Sequence, residues 1–405
     1  MAVGAAISDP PLPVAGISLA AVAAEIRYRD RLDLGLLCAR GPCTLAATFT
    51  QNRFAAAPVR RCRELLIDAA PGDWALLVNA GNANAATGPS GASAALQTCR
   101  IAAAALGLPP ERVLPFSTGV IGEALPVEPF AEHLGPLSAG LGEHGWEDFS
   151  RCILTTDTRP KVASRRLEFG AGAVTVTAVA KGAAMMQPDM ATMLAFAGTD
   201  ARIEQRLLLR LHREAVAGSF NRISIDGDTS TNDAAVLIAT GAGGVEIAEG
   251  SPEHSALAGA LGEVYAQLAR EMVRDAEGAE HCVTLIVQGG RDAAQCALVG
   301  YAVANSPLFK TAVFAADPNW GRLAMAIGRS GADFDPDQVR IDFEDVPVML
   351  GGVVAPDYSE AAATAVMARP EYTLRIDLGC GAAAERFWFS DLSHDYIRIN
   401  ADYRT

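Results

Sequence analysis

Two spacings of apolar residues divide this chain into strands and helices. Residues 74–78 (WALLV), 113–116 (VLPF) and 283–287 (VTLIV) are short apolar runs, and residues 174–180 (VTVTAVA) alternate as a half-buried strand does, delivering Lys181 to the next segment. The pattern predicts further strands over 222–225, 339–343, 372–378 and 387–389. Residues 90–106 read as an alanine-rich helix stopped by Gly107 and Pro109, and residues 203–217 as a helix with Leu207, Leu208 and Leu211 on one stripe. A third helix takes Ser251 as N-cap and Pro252 in its first turn, shows Leu261, Tyr265, Leu268 and Met272 on one face, and is expected to run to near Gly278. Glu277 then lies at its C-terminal end, where the helix dipole disfavours a carboxylate, and this marks it as a functional candidate. Helices and strands without regular βαβ repetition define an α+β chain.

Composition narrows the class. The 405 residues are 50% hydrophobic and 20% charged, enough for large cores in two or three units, and unlike disorder, collagen or coiled coil. A formal charge of −14 leaves no broad basic face, so a small metabolite suits the chain and nucleic acid does not. Eight scattered cysteines without a Cys-x-x-Cys pair read as reduced packing groups. The first thirty residues lack a basic leader, Asp9 with Pro10, Pro11 and Pro13 breaks their apolar run, and no eighteen-residue apolar stretch follows. No signal peptide or membrane span is therefore expected, and cytoplasmic residence is the default. The acidic blocks 226–233 and 317–322 lack the terminal glutamate of a calcium loop and read as turns that buttress a site. Neither a P-loop nor a dinucleotide-binding glycine motif follows a strand, so neither cofactor nor metal is expected.

The candidate chemistry sits at residues 181–196, KGAAMMQPDMATMLAF. Thr192 is a poor nucleophile inside an ordinary peptide. Cutting the Ala191–Thr192 bond frees an α-amine, with an ordinary pKa of about 7.7 to 8, that can take the hydroxyl proton as a histidine would. Residues 190–194 alone, MATML, also fit a half-buried helix N-cap at Thr192.

The wider string, with Lys181-Gly182, Pro188 and Met190 through Phe196, resembles the self-cleavage segment of the ornithine acetyltransferases, the bifunctional glutamate N-acetyltransferase family of arginine biosynthesis. Matching blocks occur in family order along nearly the whole chain: 48–52 with 56–59, 79–84, 117–122, 155–158, 219–222, 226–233, 275–279, 305–307, 317–322 and the closing 399–405. The resemblance implies an αββα-type layered sandwich that processes itself into an α chain, residues 1–191, and a β chain, residues 192–405, and assembles as two copies of each or a multiple of that. It implies that Thr192 cleaves the bond to Ala191 and then serves as the acyl-carrying nucleophile. Thr118 and Gly119 match the oxyanion hole. Lys181, Thr155 or Thr156, Glu277, Asn400 and Thr405 match the substrate contacts, together with Thr192. The implied reaction passes acetyl from N-acetyl-L-ornithine to L-glutamate by a ping-pong path without a cofactor, and leaves acetyl-CoA open as a second donor.

Two residues depart from the family pattern. Ala184 stands where glycine is expected and Asp189 where asparagine is expected, so a strained methyl and an extra carboxylate fall close to the cleavage point. Two other readings stay open on sequence: a self-processing amidase or aminopeptidase, and an unprocessed chain that binds an amino acid.

Overall fold

The computed structural model describes residues 2–6, 10–67, 69–187 and 193–402. Asp9, the segment from Pro188 through Asp189, Met190, Ala191 and Thr192, and the terminal Thr405 lie outside the described residues. Within them the larger sheet has eight strands. Its order is Val113–Val120, Gly72–Asn82, Leu34–Phe49, Ala234–Ala239, Leu194–Thr199, Gly172–Lys181 and Lys161–Phe169, and Ile17–Val22 pairs beside Leu34–Phe49. The Leu34–Phe49 strand breaks register between Ala39 and Cys43. That break lets its first half join Ile17–Val22 and Gly72–Asn82 while its second half joins Ala234–Ala239.

Helices Gln205–Ala217 and Pro252–Arg274 cover one face, where Leu207, Leu208 and Leu211 pack with Val176, Ala178 and Leu237. The other face meets Trp146 and Phe149 of a short helix, and Phe196 takes edge contacts from Phe116 and Phe149 with centroids 5.0 and 5.4 Å away. A second sheet runs in the order Val353–Val354, Val346–Leu350, Arg340–Phe343, Glu371–Asp377, Cys282–Gly290, Ala383–Ser390 and Ile223–Ser224. Helices Ala293–Ala304, Pro307–Phe314, Trp320–Gly328 and Glu360–Met367 share its core. Pro252–Arg274 touches strands of both sheets, so the chain is an α+β sandwich of layered sheets and helices.

Several local expectations change. The apolar run at 194–199 is a strand, parallel to Ala234–Ala239, so nothing helical follows residue 192 for it to cap. Leu34–Phe49, Lys161–Phe169, Leu194–Thr199 and Ala234–Ala239 were not expected as strands. The last two are buried on both faces and carry no period-two signal. The alternating strand Gly172–Lys181 is itself buried on both faces over residues 174–181, its Thr177 hydroxyl donating to the Leu12 carbonyl at 2.7 Å. The 79–84 and 117–122 loops begin inside strands that extend to Asn82 and Val120. Residues 222–225 hold only the two-residue strand Ile223–Ser224 after a 3₁₀ turn. The third helix ends at Arg274, so Glu277 lies beyond its last turn in a loop that reverses at Gly278, φ +68°.

Strands from both sides of residue 192 interleave in one sheet. Ala234–Ala239 lies between Leu34–Phe49 and Leu194–Thr199, and Leu194–Thr199 lies against Gly172–Lys181. A cut at residue 192 therefore separates no folding unit.

Candidate active site

Where the strands Val113–Val120 and Gly172–Lys181 end, a cavity of about 570 Å³, open mouth included, gathers Thr118, Gly119, Thr155, Thr156, Lys181 and Glu277. These residues come from four separate stretches of sequence. Every described residue of the expected site except Asn400 lines this one space, and Asn400 reaches it through Glu277.

The C-terminal end of the Val113–Val120 strand carries both oxyanion candidates. Gly119 has φ +132°, and a Cβ there would stand 2.2 Å from the Gly81 carbonyl carbon, so only glycine lets the two backbones lie side by side. Thr118 beside it is buried, and its Oγ1 accepts from the Lys181 ammonium at 3.1 Å. With its oxygen already engaged as an acceptor, the Thr118 hydroxyl hydrogen is free to point toward a ligand. Burial pushes the Lys181 ammonium below its ordinary pKa and Lys161 adds to the effect, against the opposing pull of Asp157, Asp233 and Glu277.

Lys181 and the threonine loop are held by a buried ion network. The Asp157 carboxylate accepts from the Gly182 N–H at 2.7 Å, from Thr155 N–H at 3.3 Å and from Lys161 Nζ at 2.7 Å. Lys161 also donates to Asp275 at 2.6 Å, and Asp275 accepts from Thr158 N–H at 3.0 Å and from the Thr158 hydroxyl. Burial alone would raise Asp157, but the Lys161 and Lys181 ammonium groups and the Gly182 N–H outweigh it and hold the carboxyl below the usual carboxylate range. One aspartate thus joins the loop at 155–158 to the segment that follows Lys181. Arg31 supports that loop from outside, donating to the Leu154 and Thr155 carbonyls.

Glu277 is tied to the same segment. Its N–H donates to the Ala183 carbonyl at 2.8 Å, and its Oε2 accepts from the Asn400 side-chain amide at 2.9 Å. Asn400 rides on the terminal helix His394–Asp402, which starts hard against Gly278: a Cβ on Gly278 would lie 2.4 Å from the Tyr396 nitrogen. Ser393 accepts from Tyr396 N–H at 3.1 Å and donates to Gly278 O at 2.6 Å, which locks the helix start onto the Glu277 turn.

The acidic block 226–233 grips both ends of the interval that carries Thr192. Asp226 accepts from the N–H groups of Met185 and Met186 at 2.6 and 2.7 Å, and Met186 bridges to Thr229. On the far side, Asp233 accepts from Met193 N–H at 2.9 Å, and Ala234 N–H donates to Met193 O at 3.0 Å. Asp226 also accepts from the Tyr396 hydroxyl at 3.2 Å, and both carboxylates hold backbone N–H groups, as buttressing turns do. In the block at 317–322, Asn319 caps the helix Trp320–Gly328. Ala184 does not take the left-handed conformation expected to strain it. Positive φ falls on its neighbour Met185, at 52°, whose N–H Asp226 holds. Asp189, the other departure, lies outside the described residues, as do Ala191, Thr192 and Thr405.

Sequence reasoning passed over Lys161, the cation of the buried network, and over the roles of Asp157 and Asp275; the block that holds Asp226 and Asp233 it read as a buttressing turn, without the backbone partners. A signal for the first was present. The chain has three lysines, Lys161, Lys181 and Lys310, and all three are buried, while every other basic side chain that carries a fixed charge is arginine. In such a chain a lysine marks an interior position. Lys310 sits under Phe389, donates to Ser390, and burial lowers its pKa to about 8. Among the described residues no group of three or more His, Cys, Asp or Glu is placed to hold a metal ion, and no helix is long and apolar enough to cross a membrane.

On an α+β sandwich, a confined cavity that joins hydroxyls, a lysine and a carboxylate defines an enzyme for a small charged metabolite. The ArgJ family matches residues 18–405. An arginine biosynthesis bifunctional protein ArgJ of Methylococcus capsulatus is 47% identical over 97% of this chain and 96% of its own, and one of Psychrobacter arcticus is 45% identical over 100% of both. A solved ornithine acetyltransferase of Mycobacterium tuberculosis, complexed with ornithine, is 34% identical and covers 44% of this chain and 92% of its own, with a TM-score of 0.40. The chain belongs to the ArgJ family and is an acyltransferase of arginine biosynthesis.

Proposed function

We propose that this enzyme cuts itself between Ala191 and Thr192 and then carries acetyl from N-acetyl-L-ornithine to L-glutamate on Thr192. The observation that carries the proposal is the common cavity. Thr118, Gly119, Thr155, Thr156, Lys181 and Glu277 line it, and residues 183–185 of its wall lead into the interval that holds Thr192.

In self-cleavage, the Thr192 Oγ attacks the Ala191 carbonyl carbon, the C–N bond breaks, and the nitrogen takes a proton. Water hydrolyses the resulting ester, leaving a carboxylate on Ala191 and an α-amine on Thr192. In turnover, that amine accepts the hydroxyl proton as Oγ attacks the acetyl carbonyl, then returns it to the departing ornithine nitrogen. Glutamate's amine attacks the acetyl ester and restores the free threonine. The Thr118 hydroxyl and the Gly119 N–H face the oxyanion in each tetrahedral step. Lys181 holds a substrate carboxylate and Thr155 or Thr156 adds a hydroxyl contact. Glu277, backed by Asn400, holds an ammonium or neighbouring polar group, with Thr405 completing the site. The proposal leaves acetyl-CoA open as a second donor. We assign the active form two copies each of residues 1–191 and 192–405.

A denaturing gel with N-terminal sequencing tests the first half: two pieces, one beginning at Thr192, and a single band of about 42 kDa for Thr192→Ala. Incubation with N-acetylornithine tests the second. Acetylglutamate should form only with glutamate present, and acetate release that ignores glutamate would overturn the transferase assignment.

A further inference from the structure

The strand that ends in Thr118 and Gly119 has weak support from its own sheet. Val113–Val120 is an edge strand, paired on one side only among the described residues, and its ladder with Gly72–Asn82 loses register at Gly81 and Asn82, beside Thr118 and Gly119. A buried side chain from a distant part of the chain ties this end down. Asn232 Nδ2 donates to the Ser117 carbonyl at 2.8 Å and to the Ala83 carbonyl at 2.6 Å. It thereby joins the residue before Thr118 to the stretch that follows the close crossing of Gly81 and Gly119. Carbonyls only accept, so both amide hydrogens of Asn232 are committed to backbone, and its Oδ1 accepts from the Thr231 hydroxyl at 2.6 Å. The orientation of the amide is fully determined. Its base is fixed as well: Asn232 N–H donates to Ser230 Oγ at 3.1 Å, the Ser230 carbonyl accepts from the Thr50 hydroxyl at 2.6 Å, and the Thr231 carbonyl accepts from Ala56 N–H at 2.9 Å.

We propose that Asn232 is a positioning residue for acetyl transfer, holding the Ser117 and Ala83 carbonyls so that Thr118 and Gly119 keep their aim on the tetrahedral oxygen. The inference rests on the reading of Thr118 and Gly119 as the oxyanion donors. A peptide unit is planar, so pinning the Ser117 carbonyl sets the plane that carries the Thr118 nitrogen and Cα, and with them the start of the hydroxyl side chain. Pinning Ala83 holds the backbone that runs on from Gly119's close neighbour, Gly81. Asn232 is 7% exposed and lines the same cavity as Thr118 and Gly119, yet its donor hydrogens all face backbone, so it acts through those two residues and offers substrate no hydrogen of its own.

The test is Asn232→Leu, which keeps the side-chain volume and removes the donors, measured by steady-state transfer between N-acetylornithine and glutamate and counted per cut chain. A misplacement of about 1 Å at an oxyanion donor should lower kcat about 10²-fold while KM stays within about threefold. In a Thr118→Ala background, where one donor is already gone, the same substitution should cost less than about tenfold. Losses that multiply in full overturn the proposal, as does an unchanged kcat in the folded variant. A loss confined to KM overturns it too, by making Asn232 a substrate contact. Thr118→Ala that leaves kcat unchanged would instead remove the oxyanion reading, and this inference with it. Should Asn232→Leu fail to fold or to cut, Thr231→Val decides, since it takes away only the hydroxyl that orients the amide: kcat should fall about fivefold, and not at all in the Thr118→Ala background. Full turnover by Thr231→Val, or an equal loss in both backgrounds, overturns the assignment.

Discussion

Replacing Lys161 by methionine isolates the buried network from the chemistry. Lys161 Nζ lies 2.7 Å from Asp157 and 2.6 Å from Asp275, and all three side chains are 0% exposed. Methionine fills similar volume but leaves two carboxylates facing each other without a cation. Removing one partner of a buried ion pair costs about 3–5 kcal/mol, chiefly through the charge left behind. An unfolding entropy of about 2.1 cal/mol/K per residue, about 0.85 kcal/mol/K over the chain, converts this to a melting shift of about 4–6 °C. The loss has a pH signature. In wild type Asp157 is depressed, so its contribution is full above the unfolded carboxylate pKa and fades only as pH falls through the depressed value. In Lys161→Met the carboxyl is relieved by protonation, so the deficit against wild type should shrink as pH falls toward 4. Scanning calorimetry of both proteins in the uncut Thr192→Ala background, from pH 8 to pH 4, reads shift and slope together. A melting shift under about 1 °C at pH 8, or a deficit that widens toward acid, would refute the reasoning.

Four further outcomes follow from the same geometry. Thr118→Ala should lower kcat by about 10²–10³ by removing one oxyanion donor, with KM changed far less, read by steady-state acetyl transfer. Gly119→Ala places a Cβ 2.2 Å from the Gly81 backbone and should destabilise the fold by about 2 kcal/mol or more, visible as a lowered melting temperature even in the uncut background. Because burial lowers the Lys181 ammonium, KM for a carboxylate substrate should rise on the alkaline side at a pH below 10.5, and Lys181→Arg should flatten that limb; a wild-type KM constant to pH 10.5 counts against Lys181 as the carboxylate holder. Residues 1–191 and 192–405 should co-elute on gel filtration after cleavage and part only in denaturant.

What the sequence disclosed follows burial. The helix Gln205–Ala217 was legible because solvent lies on one side of it and leaves a clean stripe, Leu207, Leu208 and Leu211. The central strands AAVLIA and LAFAGT were not, because a segment buried on both faces has no polar side to give it a period. The candidate site divides the same way. Thr118, Gly119, Lys181 and Glu277 were found through ordered blocks and do share a cavity. The aspartates that place them were quoted inside those blocks without their partners, Asp226 and Asp233 only as part of a buttressing turn, since a carboxylate that accepts from Gly182, Met185 or Met193 N–H leaves no mark in sequence spacing: its partner is 25, 41 or 40 residues away. Ala184 shows the converse error. A glycine expected for its conformational freedom invited an argument about strain at 184, yet the chain turns left-handed one residue later, at Met185, where Asp226 restrains the backbone.

The interleaved sheet gives the proposed cut its consequence. A break at residue 192 frees two chain ends, and both lie between anchors: Met185 and Met186 on Asp226, Met193 on Asp233 and on the Ala234 N–H. Beyond those anchors the two pieces share full ladders, Ala234–Ala239 with Leu34–Phe49 and Leu194–Thr199 with Gly172–Lys181. Each ladder joins backbone groups that have no access to water, so separation would expose them and the apolar faces on either side at once. The cut can therefore relax only the short interval between the anchors. In the proposed mechanism that interval supplies the amine, while Lys181, Thr118 and Glu277 stay fixed by contacts the cut does not touch.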